Sequence, residues 1–485
     1  MKRASDDTTG RRPRRRPADV RQLEQLAGVL GVDIDASEDT SILAEPVPVA
    51  GLVIPNSLGT HPMEGYDGDA LGRPGELTLR RYERFAAGGA GLIWVEATAV
   101  AAEGRSNPRQ LWLHNESKDA FAALVRHIRR AAAASMGAQH RPVVVLQLTH
   151  SGRYSRPKGT ARPLLCQRDP YRDALSPAAT PEPTAQSKIP PEVPVLTDEY
   201  LENLAGAYVE AATLAFEVGF DAVDIKACHG YLVSELLACH SREGRYGGSF
   251  ENRTRFLLEV VDGIRDRLGP DATVAVRLGL YDAVPYPYGW GVDKSDYTKP
   301  DLTEPKMLLG ALLDRGVRLI NVTAGDPHYN PHYTRPFNRA HNRLYRPPEH
   351  PLVGVHRLIN LAGTIQKQFG ELVVVGTGYS WLGAVMPNVA AAIKTKGLAK
   401  IVAAGRLALA YPDFARDIIR IGRLDGKRLC TTCSKCSRMM SAGGPVGCAV
   451  RDKEIYGPIY EKARRLARRQ DDRTNDNDRP TLSDW

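Results

Sequence analysis

No run of about eighteen apolar residues occurs anywhere in the 485-residue chain, so no membrane-spanning helix is expected. Cysteine is scarce. Seven in a chain of this size are too few for a disulfide scaffold, and four of them crowd into residues 430–448. No apolar segment follows the early arginines, which speaks against a secretory signal. No G-x-G-x-x-G follows the first strand-like run, which disfavours an open dinucleotide-binding sheet. Acidic residues fall short of basic ones, leaving a net charge of +9. Much of the excess sits in "RRPRRRP" at 11–17, a stretch without hydrophobic periodicity. Such a stretch reads as a solvated arm rather than a specific nucleic-acid surface. The four clustered cysteines point instead to metal binding in a reducing cytoplasm.

What the chain has is 42% hydrophobic residues in an alternating arrangement. The first 45 residues read as a mostly disordered basic tail with one short helix, "VRQLEQLAGVLG". Beyond it, short β-branched runs recur: "AGLIWVEAT", "RPVVVLQLTH", "FDAVDIKA", "ATVAVRLG", "VRLINVTAG", "ELVVVGTG" and "AKIVAAGR". Between them lie amphipathic stretches such as "DEYLENLAGAYVEAATLAFEVG", where Leu201, Leu204, Tyr208, Ala211 and Ala215 recur at helical spacing. Strands alternating with helices mean parallel βαβ units. With "SLGTHPM" at 57–63 the strands number eight, which fits an α/β fold of the closed (β/α)8 TIM-barrel type over 46–425. Length alone would allow about three domains, but one such barrel absorbs over half of the chain.

Three segments break the rhythm: 155–196, 281–300 and 325–352. All follow strands, so they emerge at the C-terminal rim, where barrel enzymes build their sites. The fourth strand ends oddly. "DIKACHGY" carries Lys226, His229 and Tyr231 out of an apolar run. Unpaired polar groups cost roughly 1–3 kcal/mol each when buried, so a strand that delivers them to the open barrel mouth explains them better than a core does. Cys228 and Cys239 read as small buried hydrophobes.

The segment from "GFDAVDIKACHGY" through "GRYGGSFENRTRF" resembles the central signature of the Old Yellow Enzyme family of flavin reductases. "VEATAVAAEGR", "VLQLTHSGR" and "VAAGRLALAYPDF" resemble three more of its motifs, in the family's order, over roughly residues 50 to 425. The resemblance implies FMN. Gly376, Gly378 and Gly405, in the loops after strands seven and eight, would let backbone N–H groups reach its phosphate, with Arg406 supplying charge. Arg277 and Gln147 match positions that meet the pyrimidine edge, while Pro62, Met63 and Ala97 match backbone contacts around the ring. His229 and Tyr231 match the substrate-polarising and proton-donating positions. Lys226 departs from the family, where the first position of this trio is usually histidine. It would pair with an acidic substrate, or with a nearby carboxylate.

The cysteines narrow the resemblance to the iron–sulfur subgroup that includes 2,4-dienoyl-CoA reductase and trimethylamine dehydrogenase. Cys430, Cys433, Cys436 and Cys448 are spaced C-x2-C-x2-C-x11-C. A compact triplet with a distant fourth suits a [4Fe–4S] cluster in a module over 426–460, with a polar tail over 461–485. Zinc is the alternative, though it more often takes two C-x2-C pairs. No dinucleotide motif follows Cys448, so electrons are expected from a separate ferredoxin or flavoprotein, or from NAD(P)H directly. The expected activity is reduction of an activated C=C bond in a small-molecule substrate. An oxidative amine dehydrogenase or demethylase is one alternative, and a flavin-free, zinc-stabilised binding protein is another. A homo-oligomer is compatible with this reading.

Overall fold

The structure, a computed structural model, describes residues 15–173, 189–339 and 345–471. Eight parallel strands close into a barrel: β3 (Leu58–Thr60), β4 (Leu92–Ala99), β5 (Val143–Thr149), β6 (Ala222–Ala227), β7 (Val274–Gly279), β8 (Leu319–Thr323), β9 (Val373–Gly376) and β10 (Ile401–Ala404). Seven fall within the runs expected from the sequence and β4 extends one residue past its run, to Ala99, while β10 pairs with β3 to complete the ring. Helices such as Asp198–Glu217 and Phe250–Leu268 lie between the strands in sequence. On the former, Leu201, Leu204, Tyr208, Ala211 and Ala215 are all buried, the face its periodicity marks out.

The strands are covered on both sides, and that is why they read as near-continuous apolar runs. Outward residues such as Val144, Val223, Ile225 and Val276 join the helices in one core. Inward residues Leu92, Trp94, Val143, Val145, Ala222, Ala275 and Leu319 form a second core inside the barrel. A hairpin of β1 (Val47–Val49) and β2 (Leu52–Ile54) closes this inner core, burying Val47, Val49 and Ile54 against it. Side chains alternate along each strand. The inward series of β6 is therefore Ala222, Asp224, Lys226, apolar deep in the barrel and polar toward its mouth.

Two expected boundaries shift. The segment read as a tail over 1–45 is folded from residue 18 on: the helix Val20–Leu30 buries Leu23 and Ala27, and Leu43 is fully buried. Its first turn is capped by Asp19, which accepts from the Gln22 N–H at 2.8 Å. Residues 1–14, including the first arginines, lie outside the described residues. At the other end a helix, Lys453–Asp471, runs through the start of the expected polar tail, and 472–485 lie outside the described residues. No helix among the described residues is long and apolar enough to cross a membrane.

Candidate active site

The C-terminal rim opens on a cavity of about 330 Å³. Its floor is set by strand register: Gln147 pairs beside Asp224, Lys226 beside Arg277, and Arg277 beside Asn321. Asp224 organises this floor. It accepts from Trp94 Nε1 at 2.8 Å, from Gln147 Nε2 at 2.6 Å and from the Arg277 backbone N–H. Burial lifts its carboxyl to about 6 despite the Gln147 and Trp94 bonds. With one Nε2 hydrogen given to Asp224, Gln147 keeps its amide oxygen and a second N–H for the cavity.

Of the residues expected from the sequence, Pro62, Met63, Gln147, Lys226, His229, Tyr231, Arg277, Gly378, Gly405, Arg406 and Cys436 line this cavity. Ala97, Gly376, Cys430, Cys433 and Cys448 do not. The Ala97 carbonyl accepts from Gln110 Nε2 at 3.0 Å, and a Cβ on Gly376 would lie 1.9 Å from the Tyr379 hydroxyl, which points to a packing constraint there.

Five buried donor or ring-nitrogen atoms at the cavity have no hydrogen-bond partner among the described residues: His61 Nε2, Arg277 Nε, Thr334 Oγ1, Arg335 Nε and Arg406 Nη1. Each such orphan costs about 1–3 kcal/mol unless something else satisfies it. Burial, with the neighbouring Arg406, pushes Arg335 down to about 10. Arg277 is also lowered by burial. Two arginines close together, beside the Thr377–Gly378 turn and Ser380, make an anion site of the kind a phosphate fills. Gly378 adopts φ +95, and a Cβ on Gly405 would lie 3.0 Å from Met63 Sδ. The donor set therefore fits a phosphorylated, flat, polar-edged group.

Above the floor, Lys226 meets the partner that a buried lysine demands. Its Nζ lies 2.9 Å from Glu64 Oε1 and 3.4 Å from the centroid of the Tyr231 ring. The Tyr231 hydroxyl donates to the same carboxylate at 2.9 Å, and Ser106 Oγ approaches its other oxygen at 3.3 Å. Burial works to raise Glu64, but the Lys226 charge and the hydrogen bonds from Lys226, Tyr231 and Tyr66 outweigh it and hold the carboxyl below its usual range. Burial, then the Glu64 charge, raises Tyr231 well above an ordinary phenol. His229, in a left-handed conformation at φ +67, is half-buried and stands 3.3 Å from Thr323 Oγ1. Burial and the charges of Arg277 and Lys226 push it far down, so it is a neutral imidazole with one hydrogen to donate. Beside Tyr231, Tyr154 and His328 stack at 3.8 Å, their ring centroids 6.2 and 6.4 Å from that of Tyr231.

The cysteine segment completes the cavity wall through Cys436, Ser437, Met440, Ser441, Gly443 and Val446. It is anchored by Asp452 to Arg80 and Arg84, each at 2.6 Å, and by Asn107 Nδ2 to the Gly443 carbonyl at 3.2 Å. Thr432 and Ser434 both take positive φ, +49 and +57, as the loop winds between the cysteines. The Thr432 and Arg451 N–H groups donate to the sulfurs of Cys430 and Cys448, each at 3.4 Å. Burial pushes the Cys430 thiol up to about 11 and also raises Cys436, while the neighbouring Arg406 pulls both the other way. Among the described residues, however, no three His, Cys, Asp or Glu side chains converge closely enough to hold a single metal ion.

Residues 43–294 match the model of the NADH:flavin oxidoreductase / NADH oxidase family. The chain belongs to that family. It is a flavin-dependent oxidoreductase of the Old Yellow Enzyme type, which sets aside the flavin-free binding protein. A relative named NADPH dehydrogenase, from Geobacillus sp. (strain WCH70), is 32% identical over 288 residues, covering 59% of this chain and 73% of that protein. A solved 2-naphthoyl-CoA reductase complex superposes with a TM-score of 0.65 at 20% identity, over 87% of this chain and 58% of that one. Histamine dehydrogenase from Rhizobium sp. 4-9 does so with a TM-score of 0.62 at 20% identity, over 84% and 52%. At these identities the two structures speak for the fold alone.

Proposed function

We propose that this flavin oxidoreductase reduces an activated C=C bond of a small carbonyl compound, with FMN at the barrel mouth and a [4Fe–4S] cluster on Cys430, Cys433, Cys436 and Cys448. One observation carries the reading. Donors for a developing enolate oxygen, from Lys226 and His229, line the same cavity as the orphaned Arg277 and the phenol of Tyr231. Arg335 and Arg406 would hold the phosphate, with backbone donors near Gly378 and Gly405. Arg277 and the Gln147 oxygen would hold the polar ring edge, and Pro62 and Met63 the remaining rim. FMN, when bound, supplies the hydride. His229 and Lys226 hold the substrate oxygen where negative charge grows, the arrangement that lowers such barriers most. Tyr231 supplies the proton to the adjacent carbon.

The cluster reading is supported by four cysteines in one short segment and by backbone N–H groups aimed at two of their sulfurs. Cys436 lies on the cavity wall, so a cluster there would adjoin the flavin. That placement supports electron delivery from a separate carrier protein. The likeness to an NADPH dehydrogenase supports NADPH as a direct donor. Anaerobic mixing of oxidised protein with NADPH, and separately with a reduced ferredoxin, distinguishes the two by which one bleaches the flavin absorbance. A preparation that lacks flavin, iron and acid-labile sulfide would refute the reading.

A further inference from the structure

We propose that Glu64 is a specificity-determining residue. By neutralising Lys226 it reserves the reacting end of the cavity for uncharged carbonyl compounds (esters, thioesters, ketones or aldehydes) and excludes free carboxylates. The inference rests on the reductase reading and narrows its substrate class. A bare lysine at a barrel mouth would attract an acidic substrate. Here its charge is already matched: Glu64 Oε1 takes Lys226 at 2.9 Å and Tyr231 at 2.9 Å, and Oε2 takes Tyr231 at 3.1 Å and Ser106 at 3.3 Å.

Two features make the match durable. Glu64 and Lys226 are both almost wholly buried, at 7% and 5% exposure, so water screens the pair little. The backbone beside Glu64 is also pinned. The Gly65 N–H donates to Glu96, Glu96 bonds Arg81 at 2.6 Å, and Arg81 bonds Asp67 at 2.6 Å. Only glycine fits at 65, since a Cβ would lie 2.1 Å from Arg81 Nη2. The Glu64 backbone is thus fixed by a buried ion network, and its carboxylate by the bonds to Lys226, Tyr231 and Ser106.

An ammonium has three hydrogens. One is given to Glu64, and the Tyr231 ring face lies 3.4 Å from the nitrogen. A neutral carbonyl oxygen can accept a remaining hydrogen, beside the hydrogen of His229. A substrate carboxylate at the same place would stand within a few ångströms of Glu64, and like charges that close in a water-poor site repel strongly. Of the other cationic groups on the wall, Arg277, Arg335 and Arg406 belong to the proposed flavin site, which leaves Arg156 as one further positive charge that Glu64 must outweigh.

The test uses the flavin-loaded protein and matched compounds of one skeleton. Binding of 3-phenylpropionate and of its methyl ester to oxidised protein is read from the change in flavin absorbance. Reoxidation of photoreduced protein is then followed with cinnamate, methyl cinnamate and cinnamaldehyde. Wild type is expected to bind the ester at least tenfold tighter than the acid at pH 7.5. Glu64→Gln should shrink that ratio at least tenfold by admitting the acid, and Glu64→Asp, which keeps the charge, should retain it. Equal or tighter binding of the acid by wild type overturns the proposal, with no variant needed. So does an unchanged ratio in Glu64→Gln protein with normal flavin content. Failure of the reductase reading shows separately, as no reoxidation by any unsaturated member of the set, while the binding ratio still decides the role of Glu64.

Discussion

The backbone N–H of Val446 donates to the carbonyl of Gly65 at 2.8 Å, so the cysteine segment holds the loop that carries Glu64. Loss of a cluster ligand should therefore be felt at the substrate end of the cavity. Cys448→Ala is expected to lower bound iron and acid-labile sulfide and to speed amide hydrogen exchange over residues 61–67. Undiminished iron would remove Cys448 from the ligand set.

Tyr231→Phe should slow alkene reduction about 10²-fold or more, the contribution typical of a positioned general acid. Flavin should stay bound, because no proposed flavin contact is lost. Single-turnover reoxidation of reduced protein measures the effect, and an unchanged rate would take Tyr231 out of the chemistry.

Arg335→Ala and Arg406→Ala should each weaken FMN far more than riboflavin. One charge-assisted hydrogen bond is worth about 1.5–3 kcal/mol, so about 10- to 100-fold in affinity is at stake. Equal weakening of both flavins, measured by titration of flavin-free protein, would place the phosphate elsewhere.

Much of this was legible in the sequence, and the gaps have physical causes. Strand period and strand count gave the barrel. The polar ends of β6 and β7 stood out against valine-rich surroundings, so Lys226, His229, Tyr231 and Arg277 were visible. Glu64 was not, because it lies in a loop more than 150 residues upstream of its partner and nothing local marks it. The signal that leads to it is Lys226 itself, which as a buried cation demands a carboxylate. Arg335 sits in an aromatic-rich loop without a motif. Asp224 stands in the sequence as a single polar residue between Val223 and Ile225, with nothing to show that it fixes the Gln147 amide. The hairpin under the barrel was missed because strands of three residues leave almost no alternation to read.

Asp224 also carries a pH signature. Its folded carboxyl titrates near 6, above the ordinary 3.8, so the folded chain binds this proton more tightly than the unfolded chain does. Its contribution to stability is fully present below about pH 4 and is lost as pH rises through about 6. The Tm difference between Asp224→Asn and wild type should accordingly move in the variant's favour between pH 5 and 7.5, by the equivalent of about 1.4 kcal/mol. A pH-independent difference would show that Asp224 is ionised throughout.

The most direct measurement is anaerobic stopped-flow absorbance of the photoreduced protein mixed with α,β-unsaturated esters, thioesters and ketones. The account predicts return of the oxidised flavin band with one saturated product formed per flavin, fastest with uncharged carbonyl compounds. A flavin band that oxygen restores but no such compound does would contradict it.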